Sequence, residues 1–277
     1  LTIENIKITE SPKWLKEKLT AIGLNPINNV VDITNFVMHE LGQPLHSFDL
    51  DYIKGNKVII KTLPQGTKFT TLDETERSLN ANDLIICNAE EGMCMAGVFG
   101  GLKSGITEIT TSVFLESAWF NPVRVRKTAR FHGISTDASF RYERGTDPNI
   151  VVFALKRAAS LIKELAGGQI TSNVIDVYPK QAENFVINLN INKFNTFAGK
   201  DIPSDTVKTI LKSLEIDIEE IDDVNYKLSV PPYRVDVQRE ADIAEEILRI
   251  YGFNNIETHE KTVSSTVQSP KPNPEAL

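Results

Sequence analysis

The sequence predicts an α+β protein of two domains, on three observations. Its 277 residues suit two domains of ordinary size. Segments with apolar residues at helical spacing are interspersed with short, β-branched, strand-like runs. A polar stretch without periodicity, Pro179-Lys-Gln-Ala-Glu-Asn184, separates a longer first part from a shorter second one.

The first helix is expected to open at Ser11, a capping residue followed by Pro12. Trp14, Leu15, Leu19 and Ile22 form its apolar side, and Gly23 suits a left-handed stop. A second helix is expected over residues 31–41, ending at Gly42. Strand-like runs follow at 57–62 and 84–87, then a stretch rich in glycine and small residues from Met93 to Gly105, then the apolar strand Val113-Phe-Leu-Glu-Ser117. Asp147-Pro148 starts the clearest helix, with Val151, Val152, Leu155, Ala158, Ala159, Ile162 and Leu165 on one face and Gly167-Gly168 at its end. A strand is expected near 174–178. In the second part a strand at 185–189 precedes a helix opened by Pro203-Ser204-Asp205, with Val207, Ile210, Leu211 and Leu214 inward. Two strands, near 216–221 and 226–230, and a helix over 239–251 complete it. Residues 1–180 are thus expected to form a mixed sheet with helices, and residues 185–258 a small winged-helix-like α/β unit. Residues 259–277, rich in Ser, Thr and Pro, read as a linker or disordered tail.

Composition narrows the class. The chain is 41% hydrophobic and 24% charged, enough to bury cores and stay soluble. No apolar run approaches the roughly 18–20 residues of a membrane span, and no signal-peptide pattern stands at the start. The chain begins at Leu1, inside what reads as structure, so it is expected to be a piece of a longer one. Cys87 and Cys94, seven residues apart with no second pair, make neither a zinc site nor a disulfide framework, and reduced thiols fit the cytosol. The net charge of −7 argues against non-specific coating of nucleic acid. It is unevenly spread. From Arg124 to Arg144 six bases face two acids, or +4, while from Glu215 to Glu246 eleven acids face three bases, or −8. A basic strip can hold phosphates and an acidic one a metal or a basic partner, and either can simply be a solvated face.

Three constellations could carry chemistry. Asp242, Glu245 and Glu246 share one helix face at i, i+3 and i+4, and Asp236 lies about a turn earlier. Clustered carboxylate oxygens suit Mg²⁺, although that ion usually takes only one or two protein carboxylates. The competing reading is exposed ion pairing with Arg239 and Arg249. His46 ends the loop Leu41-Gly-Gln-Pro-Leu-His46, where an imidazole can orient water or serve the structure. Glu116 interrupts an apolar strand, so its carboxylate must be paired or functional. Two other patterns are rejected. Gly97-Val-Phe-Gly-Gly-Leu-Lys-Ser104 approaches a phosphate loop but has Leu102 where a glycine is required. Phe140-Arg-Tyr-Glu143 resembles a class II synthetase Arg-x-Glu element but lacks companion motifs.

Several stretches, in order, resemble bacterial phenylalanyl-tRNA synthetase β subunits. Residues 23–38 (Gly-Leu-Asn-Pro-Ile-Asn-Asn-Val-Val-Asp-Ile-Thr-Asn-Phe-Val-Met) and Gly42-Gln-Pro-Leu-His-Ser-Phe-Asp49 are similar to the opening of that family's editing module. Gly97-Val-Phe-Gly-Gly101, Phe114-Leu-Glu-Ser117 and Thr136-Asp-Ala-Ser-Phe-Arg-Tyr-Glu-Arg-Gly145 continue it, and Pro232-Tyr-Arg-Val-Asp236 with residues 240–252 resembles the small module that follows. The likeness covers nearly all of residues 11–257. It implies hydrolysis of tyrosyl-tRNA(Phe) in the first domain, with His46 and Glu116 catalytic and Thr34, Asn35, Thr136 and Ala138 lining the pocket. It implies Mg²⁺ at Asp236, Asp242, Glu245 and Glu246, near the contact with an α subunit. The parent would be a cytoplasmic α2β2 tetramer that binds tRNA(Phe) and no membrane, and whose ATP is used in α. One departure is Asn25, where the family often has a basic residue. A non-catalytic assembly scaffold and a free-standing metal-dependent hydrolase are the rival readings.

Overall fold

In the computed structural model, residues 1–257 are described, so the expected tail at 259–277 lies outside the described residues. The chain divides into two compact units. The first runs from Leu1 to Glu183 and takes in Pro232–Val235. The second comprises Asn184–Pro231 and the described residues from Asp236 on.

The first unit contains, in order, β1 (Thr2–Ile6), α1 (Lys13–Ala21), α2 (Asn29–Leu41), β2 (Leu45–Asp49), β3 (Ile59–Thr62), β4 (Lys68–Thr70), β5 (Glu76–Ser78), β6 (Leu84–Cys87), β7 (Gly92–Met95), β8 (Phe99–Gly100), β9 (Ser112–Ser117), α3 (Pro122–His132), α4 (Asp137–Tyr142), α5 (Val151–Ala166) and β10 (Gly167–Ile170). Its largest sheet has the order β10-β1-β9-β2; a second has the order β3-β6-β7-β8, and β4 and β5 form a hairpin. The α+β class is as the sequence predicts, but the strands do not form one mixed sheet, and every pairing is antiparallel. Short connections such as that between β6 and β7 are long enough for antiparallel neighbours and too short for the crossover a parallel pair needs.

Strand β9 explains how a carboxylate sits in an apolar run. Val113 and Leu115 point into one core, with Ile3, Val30, Ile33, Val37, Ala154, Ala158 and Ile162 from β1, α2 and α5. Phe114 packs on the opposite side, in a second core with Phe48, Ile86, Met95 and Phe120. The sheet is therefore covered on both faces, and alternation brings Glu116 out on the same side as Phe114.

Three local expectations are corrected. Ser11 does not cap α1; its hydroxyl donates to the buried carboxylate of Asp32, which also accepts the Ile27 N–H. The strand expected near 174–178 is instead β10, directly after α5. The Gly167-Gly168 pair that stops the helix also lets the chain lie against β1, where a Cβ on Gly168 would stand 2.4 Å from the Glu4 carbonyl oxygen. His46 is not in a loop but on β2, an edge strand whose polar content hid its period.

The second unit contains β11 (Phe185–Asn190), α6 (Ile191–Ala198), α7 (Ser204–Ser213), β12 (Asp217–Glu220), β13 (Asn225–Val230) and α8 (Glu240–Tyr251). Its antiparallel sheet has the order β11-β13-β12. Val207, Ile210 and Leu211 of α7 and Ile243, Ile247 and Leu248 of α8 close over Leu189, Tyr226 and Leu228 of the sheet.

Candidate functional site

A cavity of about 560 Å³ opens in the first unit, within the size range of ligand pockets. Thr34 and Asn35 from α2, His46 from β2, Glu116 from β9 and Thr136 and Ala138 from the start of α4 all line it. The structure thus brings these six residues, drawn from distant parts of the sequence, around one space.

His46 and Glu116 are directly opposed in the β2–β9 ladder. Directly opposed residues share a face, with Cβ atoms about 4.5–5.5 Å apart. The His46 ring stands edge-on to Phe48, two residues along the strand, with ring centres 4.5 Å apart. Its Nε2 is fully covered and has no hydrogen-bond partner. Desolvation lowers the imidazole pKa to about 4, so it is neutral at physiological pH. The same cause raises the Glu116 pKa to about 7. Each residue shows part of its surface to the cavity, but the surroundings of both ionisable ends are apolar and close-packed. Glu116 also pushes up the Cys94 thiol and the Tyr142 phenol, after burial itself, which places its carboxyl near both.

The remaining walls are held by hydrogen bonds. Thr136 caps α4, accepting the Ser139 N–H at 3.0 Å and donating to the Val98 carbonyl at 2.9 Å, so it ties the helix to the glycine-rich stretch. Thr34 donates to the Val31 carbonyl at 2.7 Å within its own helix. The side-chain amide of Asn35 engages no protein group among the described residues, which leaves it available to a ligand. Ala138 offers only a methyl group. Tyr142 donates to the Ala118 carbonyl at 2.9 Å and closes the floor with Phe120, the rings 5.1 Å apart.

Two glycines that sequence reasoning left without a role shape the cavity. Gly97 has φ +68° and lies so close to Phe120 that a Cβ would stand 2.9 Å from its ring. A Cβ on Gly100 would stand 2.9 Å from His46 Cε1 and 2.7 Å from Leu72 Cδ1. Their density between Met93 and Gly105 was the available signal; its meaning required the fold.

The acidic group of the second unit behaves differently. Among the described residues no three His, Cys, Asp or Glu side chains form a group that could hold a metal. Arg239 clasps Asp242 with Nη2 at 2.7 Å and Nε at 3.2 Å, and the Gln238 and Arg239 N–H groups also donate to it. Arg249 donates to Glu246 at 2.6 Å. That bond chiefly raises the arginine's pKa, and Glu245 and Asp236 contribute further. Guanidinium groups thus hold two of the four carboxylates expected at the Mg²⁺ site.

A B3/4 domain family model matches residues 1–167, and a tRNA synthetase B5 domain model matches residues 187–253. The chain is 56% identical over 97% of its length to the phenylalanine–tRNA ligase beta subunit of Bacteroides fragilis, covering 32% of that protein. It is 58% identical over 93% of its length to the subunit of the same name from Bacteroides thetaiotaomicron, covering 31% of it. The Fusobacterium nucleatum subunit is 46% identical over 92% of the chain, which covers 32% of it. The chain thus spans about a third of the length of the curated relatives it matches.

Proposed function

The chain belongs to the B3/4 domain family, and from that premise we propose that its first unit hydrolyses tyrosine wrongly esterified to tRNA(Phe), as part of a phenylalanine–tRNA ligase β chain. Residues 1–180 form the editing domain in this reading. Residues 185–258 help assemble the β chain with an α subunit in an α2β2 enzyme of the cytoplasm. Aminoacylation, with its ATP, belongs to α.

The observation that carries the reading is Glu116: a carboxylate with no hydrogen-bond partner among the described residues, at the wall of a cavity, beside a neutral imidazole. Tyrosine and phenylalanine differ by one hydroxyl, and a pocket that only fits a ring separates them poorly. Glu116 accepts the phenol O–H, so phenylalanine would leave a desolvated carboxyl unsatisfied. His46 faces the ester end. Its neutral ring helps position the water that attacks the activated ester, and Asn35 orients the substrate. These steps use side chains and water, and no nucleophilic triad is needed for an activated ester.

The test is deacylation by the purified enzyme. Glu116→Ala should lower the rate on tyrosyl-tRNA(Phe) by about ten- to hundredfold, the value of a lost bond to a charged group, with the fold retained by circular dichroism. A variant that clears tyrosyl-tRNA at the parent rate, and still spares phenylalanyl-tRNA, would show that Glu116 is not the discriminating group. Insensitivity to chelator is expected, and loss of activity on chelation would favour a metallohydrolase.

A further inference from the structure

We propose that the outward face of α3 binds the phosphates of the RNA strand whose 3′ end occupies the cavity. The inference rests on the editing reading and adds a surface to it. Of the six bases in the strip from Arg124 to Arg144, two are engaged locally. Arg141 bonds Asp137 and His39, and Arg144 bonds Glu143 and stacks on Phe140 at 3.5 Å. Arg124, Arg126, Lys127 and Arg130 are exposed, and none has a carboxylate or hydrogen-bond partner among the described residues.

The helix is fixed so that these four point outward. Val125, Thr128 and Ala129 are its buried side. Thr128 Oγ1 donates to the buried Asp83 carboxylate at 2.8 Å, and His132 Nε2 lies 2.7 Å from its other oxygen. Asn121 caps the N-terminus and Gly133, at φ +63°, ends the helix. At 100° per residue, Arg126, Lys127 and Arg130 fall opposite the buried side, and Arg124 lies on one flank beside Phe131. Phe131 is 59% exposed, and Trp119, just before the helix, is 47% exposed. Aromatic faces interleaved with unpaired cations suit a single strand, which offers bases to stack and phosphates to pair.

Both ends of α3 abut the cavity. Phe120, one residue before its cap, and Thr136, three residues after Gly133, line the wall. A strand whose terminal nucleoside enters there can leave past this helix. In a chain of net charge −7, a rigid cationic face at that exit is selective placement rather than general attraction.

The test compares two substrates in the assembled enzyme carrying Lys127→Ala with Arg130→Ala. Affinity for uncharged tRNA(Phe) should fall, and the slope of log affinity against log salt should drop by about 1.4, or roughly 0.7 for each single-strand phosphate that is no longer neutralised. Hydrolysis of the tyrosyl ester of adenosine alone, too short to reach α3, should be unchanged. Unaltered affinity and slope would overturn the proposal. So would a change in oligomeric mass by light scattering, which would make this face a protein contact. Failure of the editing reading looks different: the parent would hydrolyse neither ester, while the salt slope for tRNA would still respond to the variants.

Discussion

Carboxylates occur in two contrasting settings in this molecule. In the first unit Glu116 stands in a close-packed wall with no hydrogen-bond partner, and desolvation holds its pKa at about 7. In the second unit Asp242 lies at the start of α8, clasped by Arg239 and two backbone N–H groups, and its pKa falls to about 2. The chemical group is almost the same, yet the protonation behaviour is displaced in opposite directions. Clustering of acids along a sequence marks places where charge is already satisfied as readily as places where it is available. A single acid left unsatisfied inside a cavity is the rarer arrangement and costs stability, and it is the stronger pointer to a ligand.

The largest effect is expected at a third carboxylate that combines burial with full pairing. Asp83 is 2% exposed and accepts from Thr128, His132 and the Asn80 N–H. Asp83→Ala would strand the Thr128 hydroxyl and the His132 ring in the interior. Urea denaturation should show a loss of about 3 kcal/mol, the cost of breaking a buried polar pair. A loss close to that of an average surface substitution would mean the group is not a structural anchor, and α3 would then lack the rigid seat assigned to it.

How much of this was legible beforehand depends on the range of the interaction. Helices α2, α7 and α8 were visible because their apolar periods are local, and Gly42 ends α2 in the left-handed conformation expected of it. Glu116 was visible as an anomaly within β9, and the resemblance grouped it with His46, Thr34, Asn35, Thr136 and Ala138. That Glu116 and His46 are cross-strand neighbours was not legible, because it depends on the register of an edge strand that reads as a loop. Nor was the second covered face of β9, which requires Phe48 and Phe120 to fold over it. In the acidic helix, spacing correctly placed Asp242 and Glu246 near Arg239 and Arg249, but whether ion or guanidinium holds them is decided by rotamers, which no spacing encodes.

The next effect sharpens the contrast through pH. Glu116 has a folded pKa of about 7 against an ordinary 4.5, so the folded state holds an extra proton between those values. Stability from this group is full below about 4.5 and is lost as pH rises through 7. His46 is the reverse: with a folded pKa of about 4 against 6.5, its contribution is full above 6.5 and is lost as pH falls through 4. In the parent the two slopes largely offset one another between pH 4.5 and 6.5. Glu116→Gln removes one slope and leaves the other. Relative to the parent, the variant should therefore gain stability from pH 4.5 to 7.5, by on the order of 2–3 kcal/mol from the size of the shift. Denaturation curves at four pH values check this, and a constant offset between the two proteins would mean Glu116 titrates normally.

The smallest effect is expected at the exposed pair, and its smallness is the point. Asp242 has a depressed pKa, so any stability it contributes is present above the ordinary aspartate value and is lost only as pH falls through about 2. Near neutral pH it is ionised with or without its partner. Arg239→Ala should therefore leave the melting midpoint at pH 7 within error, because a solvated ion pair adds little once screening and side-chain entropy are counted. The effect should appear in the titration. Without the guanidinium, which is the largest cause of the shift, the Asp242 carboxyl signal in a ¹³C-detected NMR titration should move up from about 2 toward its ordinary 3.8. It should stop short of that value, since the Gln238 and Arg239 N–H groups still donate to it. An unmoved midpoint would assign the depression to the helix start alone. The arginine clasp would then contribute nothing to the depressed pKa of Asp242.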